Sequence, residues 1–249
     1  MRHYEATPNK AVNWATRISP DGTRVVAGYG NLTLSFYEAS TGRVVREHAA
    51  MDGIITSVSM AADGKHVLTG QPQQKIVLWD LATGDSLKVL KAKRSYCWKV
   101  ALGPDAGLAV SASGPDKLVH VWDLQAGQEV AALAGHEKTI ECLAFSGDGE
   151  TVVSGSKDKT ARLWKVSSST PTMAHVLTGP RKAISDVAFS PDGVNVAASS
   201  IDGFVYLWRV SDGALVDTLE AGEPVPAVAF APNGCVVGGG RGKAHVWVP

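Results

Sequence analysis

The stretch from Gly135 to Lys165, GHEKTIECLAFSGDGETVVSGSKDKTARLWK, decides the fold. It contains three short runs rich in β-branched and aromatic residues, separated by turn-forming segments at 146–149 and 157–159. Such runs predict strands, and an Asp-Gly pair between them predicts a tight turn because it tolerates positive φ. The stretch therefore predicts a small antiparallel sheet, with His136 at its start and Trp164 near its end.

The same unit recurs along the whole chain. A turn that closes on glycine returns every 41 to 44 residues, at Gly22, Gly64, Gly107, Gly149, Gly193 and Gly234. An aromatic residue near the end of each copy keeps the same spacing, at Tyr37, Trp79, Trp122, Trp164, Trp208 and Trp247. No helical periodicity is sustained. Six copies of about four short strands each predict an all-β repeat protein.

These residues carry a family resemblance. The period, the Gly-His start and the Trp-Asp end resemble the WD-repeat family, and Trp79-Asp80 and Trp122-Asp123 match that end outright. The resemblance covers essentially all 249 residues. It implies a β-propeller of four-stranded antiparallel blades around a central channel. We expect six blades in a single domain that spans residues 1–249.

The last copy ends at its third strand, so the sixth blade lacks its outer strand. We expect the segment from His3 to Thr7 to supply that strand, so that the N-terminus closes the last blade. An unclosed ring would leave a free sheet edge, which invites aggregation. The alternative is a fragment of a seven-bladed ring.

Four residues of the fourth copy are candidates for a shared network. The family resemblance implies a hydrogen-bonded tetrad of His136, Ser154, Asp158 and Trp164, with a structural role. A Ser, a His and an Asp together also suggest a hydrolase triad. No strained nucleophile elbow surrounds Ser154, which favours the structural role. The other copies lack at least one member, so we expect a complete tetrad only in the fourth blade.

Candidate binding residues lie at the rim of the third and neighbouring blades. One position early in each first strand is expected to be exposed, and it holds Trp14, Thr56, Trp98, Glu141, Ser185 and Pro226. Tyr96, Arg94 and Lys93 precede Trp98. Trp and Tyr are enriched at interface hot spots, and Arg and Lys pair with acidic groups. The pattern predicts a partner-binding surface for an acidic or phosphorylated peptide. Packing of Trp14 and Trp98 between blades is the alternative.

Composition bears on other classes of function. The chain has 24 basic and 24 acidic residues, which makes a nucleic-acid partner unlikely. Widely separated cysteines without a CxxC motif favour a reducing compartment, the cytoplasm or the nucleus. No apolar run approaches the length of a membrane span. The seven histidines show no metal-ligand spacing, so we expect neither metal nor cofactor. The position of His120 and His245, two before the aromatic, varies so much that we expect partial solvation.

The sequence therefore predicts a non-catalytic scaffold for protein–protein interaction, which binds partners on the loop-rich rim and the channel mouth. One alternative is an enzyme or small-molecule binder that uses the channel mouth. Another is the propeller domain of a larger protein.

Overall fold

A computed structural model describes residues 13–48, 53–72, 75–92, 97–240 and 242–248, with side chains described from residue 15 onward. Every regular element in that part of the chain is a β-strand. The strands form six antiparallel sheets, which confirms the all-β prediction. The segment from His3 to Thr7 lies outside the described residues.

Strands that follow one another along the chain also pair with one another, so each sheet is a simple meander. The first sheet contains β1 (Asn13–Ile18), β2 (Arg24–Tyr29), β3 (Leu34–Glu38) and β4 (Val44–His48). The second contains β5 (Ser57–Met60), β6 (His66–Gln71), β7 (Lys75–Asp80) and β8 (Ser86–Lys91). The third contains β9 (Lys99–Leu102), β10 (Leu108–Ala112), β11 (Val119–Asp123) and β12 (Gln128–Leu133).

The remaining sheets repeat this order. The fourth contains β13 (Ile140–Phe145), β14 (Thr151–Ser156), β15 (Ala161–Lys165) and β16 (Thr172–Leu177). The fifth contains β17 (Ile184–Phe189), β18 (Asn195–Ser200), β19 (Phe204–Arg209) and β20 (Leu215–Glu220). The sixth contains β21 (Ala227–Phe230), β22 (Val236–Gly239) and β23 (Ala244–Trp247). Within the described residues the sixth sheet thus has three strands, and it stops at the third, as the sequence indicated.

The turns between first and second strands use the left-handed backbone that their sequence requires. Gly22 has φ 70° and Gly149 has φ 74°, a region that glycine enters without steric penalty. The third copy differs from the prediction, because its left-handed residue is Ala106, with φ 57°, and not Gly107. The amide of Ala106 donates to Gly103 O as that of Gly22 donates to Ser19 O, so the extra residue of this copy follows the turn.

The chain divides into two compact units, and the division falls inside the third sheet. The first unit holds residues 1–112 and 122–130. Its buried apolar side chains form one cluster that includes Phe36, Ile55 and Trp79, and a second that includes Val100 and Trp122. Each cluster joins residues of successive sheets, so the sheets of this unit are held together by face-to-face packing.

The second unit holds residues 113–121 and 131–249. The fourth and fifth sheets share a buried cluster that includes Val153, Ile184 and Trp208. A Cβ added at Gly155 would lie 2.5 Å from Ile184 Cγ2 and 2.6 Å from Cys142 Sγ. Glycine is therefore required there, because a side chain would push the two sheets apart.

Candidate functional site

The meander order places two kinds of loop at the same end of every sheet. These are the turn after the second strand and the connection from the fourth strand to the next sheet. We call this end the loop end. The rim residues predicted from sequence stand at the loop end, where each first strand begins. The elements themselves thus bring the candidate binding residues to one end of each sheet.

An irregularity recurs at the predicted rim position. Register shifts occur between Asn13 and Ala15, between Ile140 and Cys142, and between Ile184 and Asp186. The residue inside each shift is the rim residue, namely Trp14, Glu141 and Ser185. A β-bulge breaks the alternation of side chains and redirects the extra one. This feature, which the sequence analysis missed, accounts for the special position of the rim residue.

The exposure of the rim residues varies from sheet to sheet. Trp98 is 42% exposed, a large fraction for an indole, and its amide donates to Ala112 O. Glu141 is half-buried and its carboxylate lies 3.1 Å from Lys157 Nζ. Thr56 corrects the prediction of exposure, because it is buried with its hydroxyl donating to backbone carbonyls. Lys93, Arg94 and Tyr96 lie outside the described residues, as does the side chain of Trp14.

The structure brings the four side chains of the fourth copy into one hydrogen-bonded chain. Trp164 Nε1 donates to Ser154 Oγ at 2.8 Å. The Ser154 hydroxyl lies 2.7 Å from His136 Nε2, and His136 Nδ1 lies 2.7 Å from Asp158 Oδ2. Since the carboxylate can only accept, Nδ1 carries the proton and Nε2 accepts from the serine.

Burial and hydrogen bonding set the protonation of this chain. Burial lowers the pKa of His136 below its usual value, against the opposing effect of Asp158, so the imidazole is neutral. Burial alone would raise the pKa of the Asp158 carboxyl. Hydrogen bonds from Thr160 Oγ1, the Glu137 amide and His136 outweigh it and lower that pKa to about 2. Asp158 is therefore the charged end of the network.

The order of these contacts is that of a hydrolase triad, but the serine is inaccessible. Ser154 is fully buried, and the side chain of His136 is fully buried too. The Ser154 oxygen also accepts the indole N–H of Trp164. The Ser154 hydroxyl is therefore closed off from a substrate in this structure.

Other copies satisfy the indole in different ways. Trp79 Nε1 donates to Thr69 Oγ1, and Trp122 Nε1 donates to Ser111 Oγ, each at 2.9 Å. Trp208, whose sheet has an alanine at the hydroxyl position, donates to the Thr178 carbonyl at 3.1 Å. A buried indole N–H needs an acceptor, and any carbonyl within reach can supply it.

In the third copy a different histidine reaches the aspartate. His120 Nε2 lies 2.9 Å from Asp116 Oδ2, and Ser113 Oγ donates to the other carboxylate oxygen. The expectation of a partly solvated position is wrong for His120, which is 7% exposed, and is confirmed for His245 and Arg162, which are half-buried. In this position Ser35, Val77 and Tyr206 are buried as well. The position varies because each copy fills it with a different local partner.

The aspartate of the second-to-third-strand turn has a function that sequence reasoning missed. Asp158 Oδ2 accepts the amide of Glu137, and Asp202 Oδ2 accepts the amide of Arg181, both 21 residues earlier. Asp202 also accepts the hydroxyl of Tyr206, and burial together with this carboxylate raises the Tyr206 pKa to about 12. The aspartate thus fixes the loop that enters its own sheet. Its constant spacing from that loop is the signal that could have revealed this.

Two absences hold for the described residues. Among them, no three His, Cys, Asp or Glu side chains converge as a metal site. None of them belongs to a helix long and apolar enough to cross a membrane.

Comparison with known proteins gives matches across the middle of the chain. The family model "WD domain, G-beta repeat" matches residues 84–123, 127–165 and 171–209. An uncharacterized WD repeat-containing protein of Synechocystis is 32% identical over 143 residues, which cover 55% of this chain and 39% of that protein. Autophagy-related protein 16 of Arabidopsis thaliana is 28% identical over 151 residues, with 59% and 30% covered.

A third relative is the serine-threonine kinase receptor-associated protein of Dictyostelium discoideum. It is 35% identical over 112 residues, which cover 45% of this chain and 37% of the relative. The aligned part thus spans between 30% and 39% of the length of these relatives. Together, the three matched repeats and the WD-repeat relatives show that the chain belongs to the WD-repeat family.

Proposed function

We propose that the chain is a non-catalytic scaffold that binds proteins or peptides at the loop end of its sheets. The observation that carries this proposal is the contrast between two sets of residues. The Ser-His-Asp chain of the fourth sheet is sealed from solvent, whereas Trp98 at the loop end is 42% exposed. An exposed indole offers a large contact area and a polar N–H, which suits it to a partner interface.

The six sheets form, in this proposal, the blades of one closed propeller that spans residues 1–249. The family repeat is offset from the sheets by one strand, since residues 127–165 cover β12 to β15. Each repeat thus supplies the outer strand of one sheet and three strands of the next. By that rule the sixth sheet needs an outer strand from the N-terminal segment, His3 to Thr7.

The exposure of β23 supports this closure. The third strand of the first sheet is buried almost throughout, whereas β23 alternates between exposed and half-buried residues. Val246 is 60% exposed and Val248 is 77% exposed. An uncovered apolar edge strand is a liability that folded proteins avoid, and a fourth strand would remove it.

The partner site of the proposal consists of Trp98 with Tyr96, Arg94 and Lys93. The aromatic residues would bury apolar area, and the basic residues would pair with acidic or phosphorylated groups. The three cysteines are buried and lie far apart in the sequence, which supports a reducing compartment such as the cytoplasm or the nucleus.

The test compares two triple variants as baits for affinity capture from a cell extract. One carries Arg94→Ala, Tyr96→Ala and Trp98→Ala. The matched control carries Leu87→Ala, Val89→Ala and Lys91→Ala, which removes exposed apolar and basic groups from the outer strand β8. We expect proteins captured by the wild type to be retained by the control and lost from the first variant. Equal recovery with both variants would refute the rim assignment.

A further inference from the structure

The loop end of the second unit carries a group of exposed cations. They are Lys138, Lys159, Arg181, Lys182 and Lys243. Within the part of the chain that the structure describes, none of the five has a carboxylate within ion-pair distance. We call these five residues the basic group. These cations are exposed to solvent, although the chain as a whole is neutral.

The acidic residues at the same end are largely engaged by the fold. Asp158 accepts from His136, Thr160 and the Glu137 amide, and Asp202 accepts from Tyr206 and the Arg181 amide.

Two further carboxylates are also engaged. Glu141 pairs with Lys157 at 3.1 Å, and the Glu223 carboxylate lies 3.4 Å from His245. Of the described acids at this end, Glu137 and Glu220 have side chains that are exposed and outside these contacts, against five exposed cations. The loop end of the second unit therefore has an excess of exposed positive charge. Its aspartates form hydrogen bonds that hold the loops, and the cations on those loops face solvent.

An apolar patch lies beside the basic group. Ile201 is 44% exposed, and Pro224 and Pro226 are exposed too. The amide of Ile201 donates to Ala183 O, which places Ile201 next to the loop that carries Arg181 and Lys182.

The two prolines are placed beside Ile201 by the residue between them. The amide of Val225 donates to Ser200 O, so the proline-flanked segment runs alongside the residue that precedes Ile201. These backbone hydrogen bonds thus place Ile201 next to both the loop that carries Arg181 and Lys182 and the segment that carries the two prolines.

We infer that this surface of the second unit binds an acidic peptide segment in which an apolar side chain stands among carboxylates. The inference rests on the proposed function. It adds a second contact area, separate from Trp98, and states the chemical class of peptide that this area binds. The carboxylates would pair with the basic group, and the apolar side chain would cover Ile201 and the prolines. Nucleic acid is less suited, because single strands bind by stacking on aromatic rings. No exposed described side chain of this surface is aromatic.

The experiment uses the full chain and a phage library of random 12-residue peptides. Enriched peptides are then measured as fluorescein-labelled synthetic peptides by anisotropy, at about 50 mM and about 300 mM salt. The test variant is Arg181→Glu with Lys182→Glu. The hydrogen bonds that hold this loop use the backbone of Arg181, Lys182 and Ala183, so the two side chains can change without loss of those bonds. A matched control, Arg17→Glu with Arg43→Glu, reverses two exposed charges in the first unit.

We expect enriched peptides that are rich in Asp and Glu around an aliphatic or aromatic residue. Their affinity should fall about tenfold in the test variant and at the higher salt, and Ile201→Ser should weaken them several-fold. The control should bind as the wild type does. A 12-nucleotide oligothymidylate that binds more tightly than the peptides would overturn the inference in favour of nucleic acid.

The other outcomes separate the inference from the proposed function. Acidic peptides that bind the test variant normally but lose affinity in the Arg94, Tyr96 and Trp98 variant would overturn the inference and leave the proposed function standing. Enrichment of peptides without acidic residues would also overturn it. A library without any enriched peptide would count against both.

Discussion

At the scale of single residues, the fourth sheet contains a histidine whose two ring nitrogens have different partners. Nδ1 of His136 faces a carboxylate and Nε2 faces a hydroxyl, and the hydroxyl in turn holds the Trp164 indole. A network of this kind is stable only when every member is satisfied, because each buried polar group left without a partner is costly. The second and third sheets keep the indole–hydroxyl bond without that histidine.

Removal of His136 tests the structural role directly. In His136→Ala, Ser154 and Asp158 each lose a buried partner, so we expect the free energy of unfolding to fall by about 2–3 kcal/mol. His66→Ala is the control, since His66 forms a partly exposed pair with Asp63 and should cost less than about 1 kcal/mol. Urea unfolding followed by tryptophan fluorescence measures both. Partner or peptide binding should be unchanged, and a loss of binding in folded His136→Ala protein would contradict the structural role.

The pH dependence of stability follows from the same contacts. The folded state lowers the pKa of His136, so the unfolded chain takes up the proton first as the pH falls. The stability from the neutral histidine is present above its unfolded pKa of about 6.5 and is lost below it. The Asp158 contribution, with a folded pKa of about 2, is lost only below about pH 4.

We therefore expect the difference in Tm between wild type and His136→Ala to narrow between pH 7.5 and pH 5. Differential scanning calorimetry at several pH values measures that difference. A gap that widens on acidification would mean that His136 is protonated in the folded protein.

The tetrad could be predicted because the resemblance to the WD-repeat family implies it and the fourth copy contains all four residue types. The acceptor of Trp208 could not, because it is a main-chain carbonyl and every residue has one. The pair of His120 and Asp116 was missed for a related reason. Their contact depends on the conformation of the turn between them, where Lys117 adopts φ 61°, and not on a fixed place in the repeat.

At the scale of elements, the second strand of each sheet must let the next sheet approach closely. Gly28, Gly70 and Gly155 occupy equivalent positions, and a Cβ at each would clash with an Ile or Val of the following sheet. The fifth sheet has Ser199 at this position, buried without a hydrogen-bond partner for its hydroxyl. In the sixth copy, Val225 stands at the place of Ile184 and is the smaller residue. The fifth sheet thus accommodates the Cβ of Ser199, whereas the fourth sheet requires glycine.

Substitution to alanine should consequently have opposite effects at these two positions. Gly155→Ala places a methyl group against Ile184 and Cys142, and we expect a loss of about 1–3 kcal/mol. Ser199→Ala keeps the shape and removes an unsatisfied hydroxyl, so we expect no loss or a small gain in stability. Thermal denaturation of the two variants checks this pair. A destabilised Ser199→Ala protein would show that the hydroxyl has a partner after all.

The strands themselves were predictable, because β-branched runs between Asp-Gly turns are typical of β-strands joined by tight turns. The bulges were not. The register shift between Ile140 and Cys142 depends on how β13 pairs with β14, and the local sequence does not indicate it. The rim position could thus be located by alignment of the copies. Its exposure could not be predicted, because it differs between copies, from the buried Thr56 to the exposed Trp98.

At the scale of the whole molecule, the matched repeats are offset from the sheets by one strand. Each matched repeat begins with the outer strand of one sheet and ends with the third strand of the next. This arrangement interlocks successive sheets, as expected for repeat proteins in which each unit is stabilised by its neighbours. It also makes β23 the strand on which the proposed closure depends. The sequence indicates that the sixth copy lacks an outer strand, because that copy contains only three predicted strands. The pairing of His3 to Thr7 with β23 stays a prediction.

Hydrogen–deuterium exchange over residues 242–248 tests the closure most directly. The chain that contains residues 1–249 is compared with a variant that lacks residues 1–8. The account predicts that the β23 amides facing away from β22 exchange slowly in the first protein and rapidly in the second, while β14 is unchanged. The same rate of exchange over 242–248 in both proteins would contradict the account.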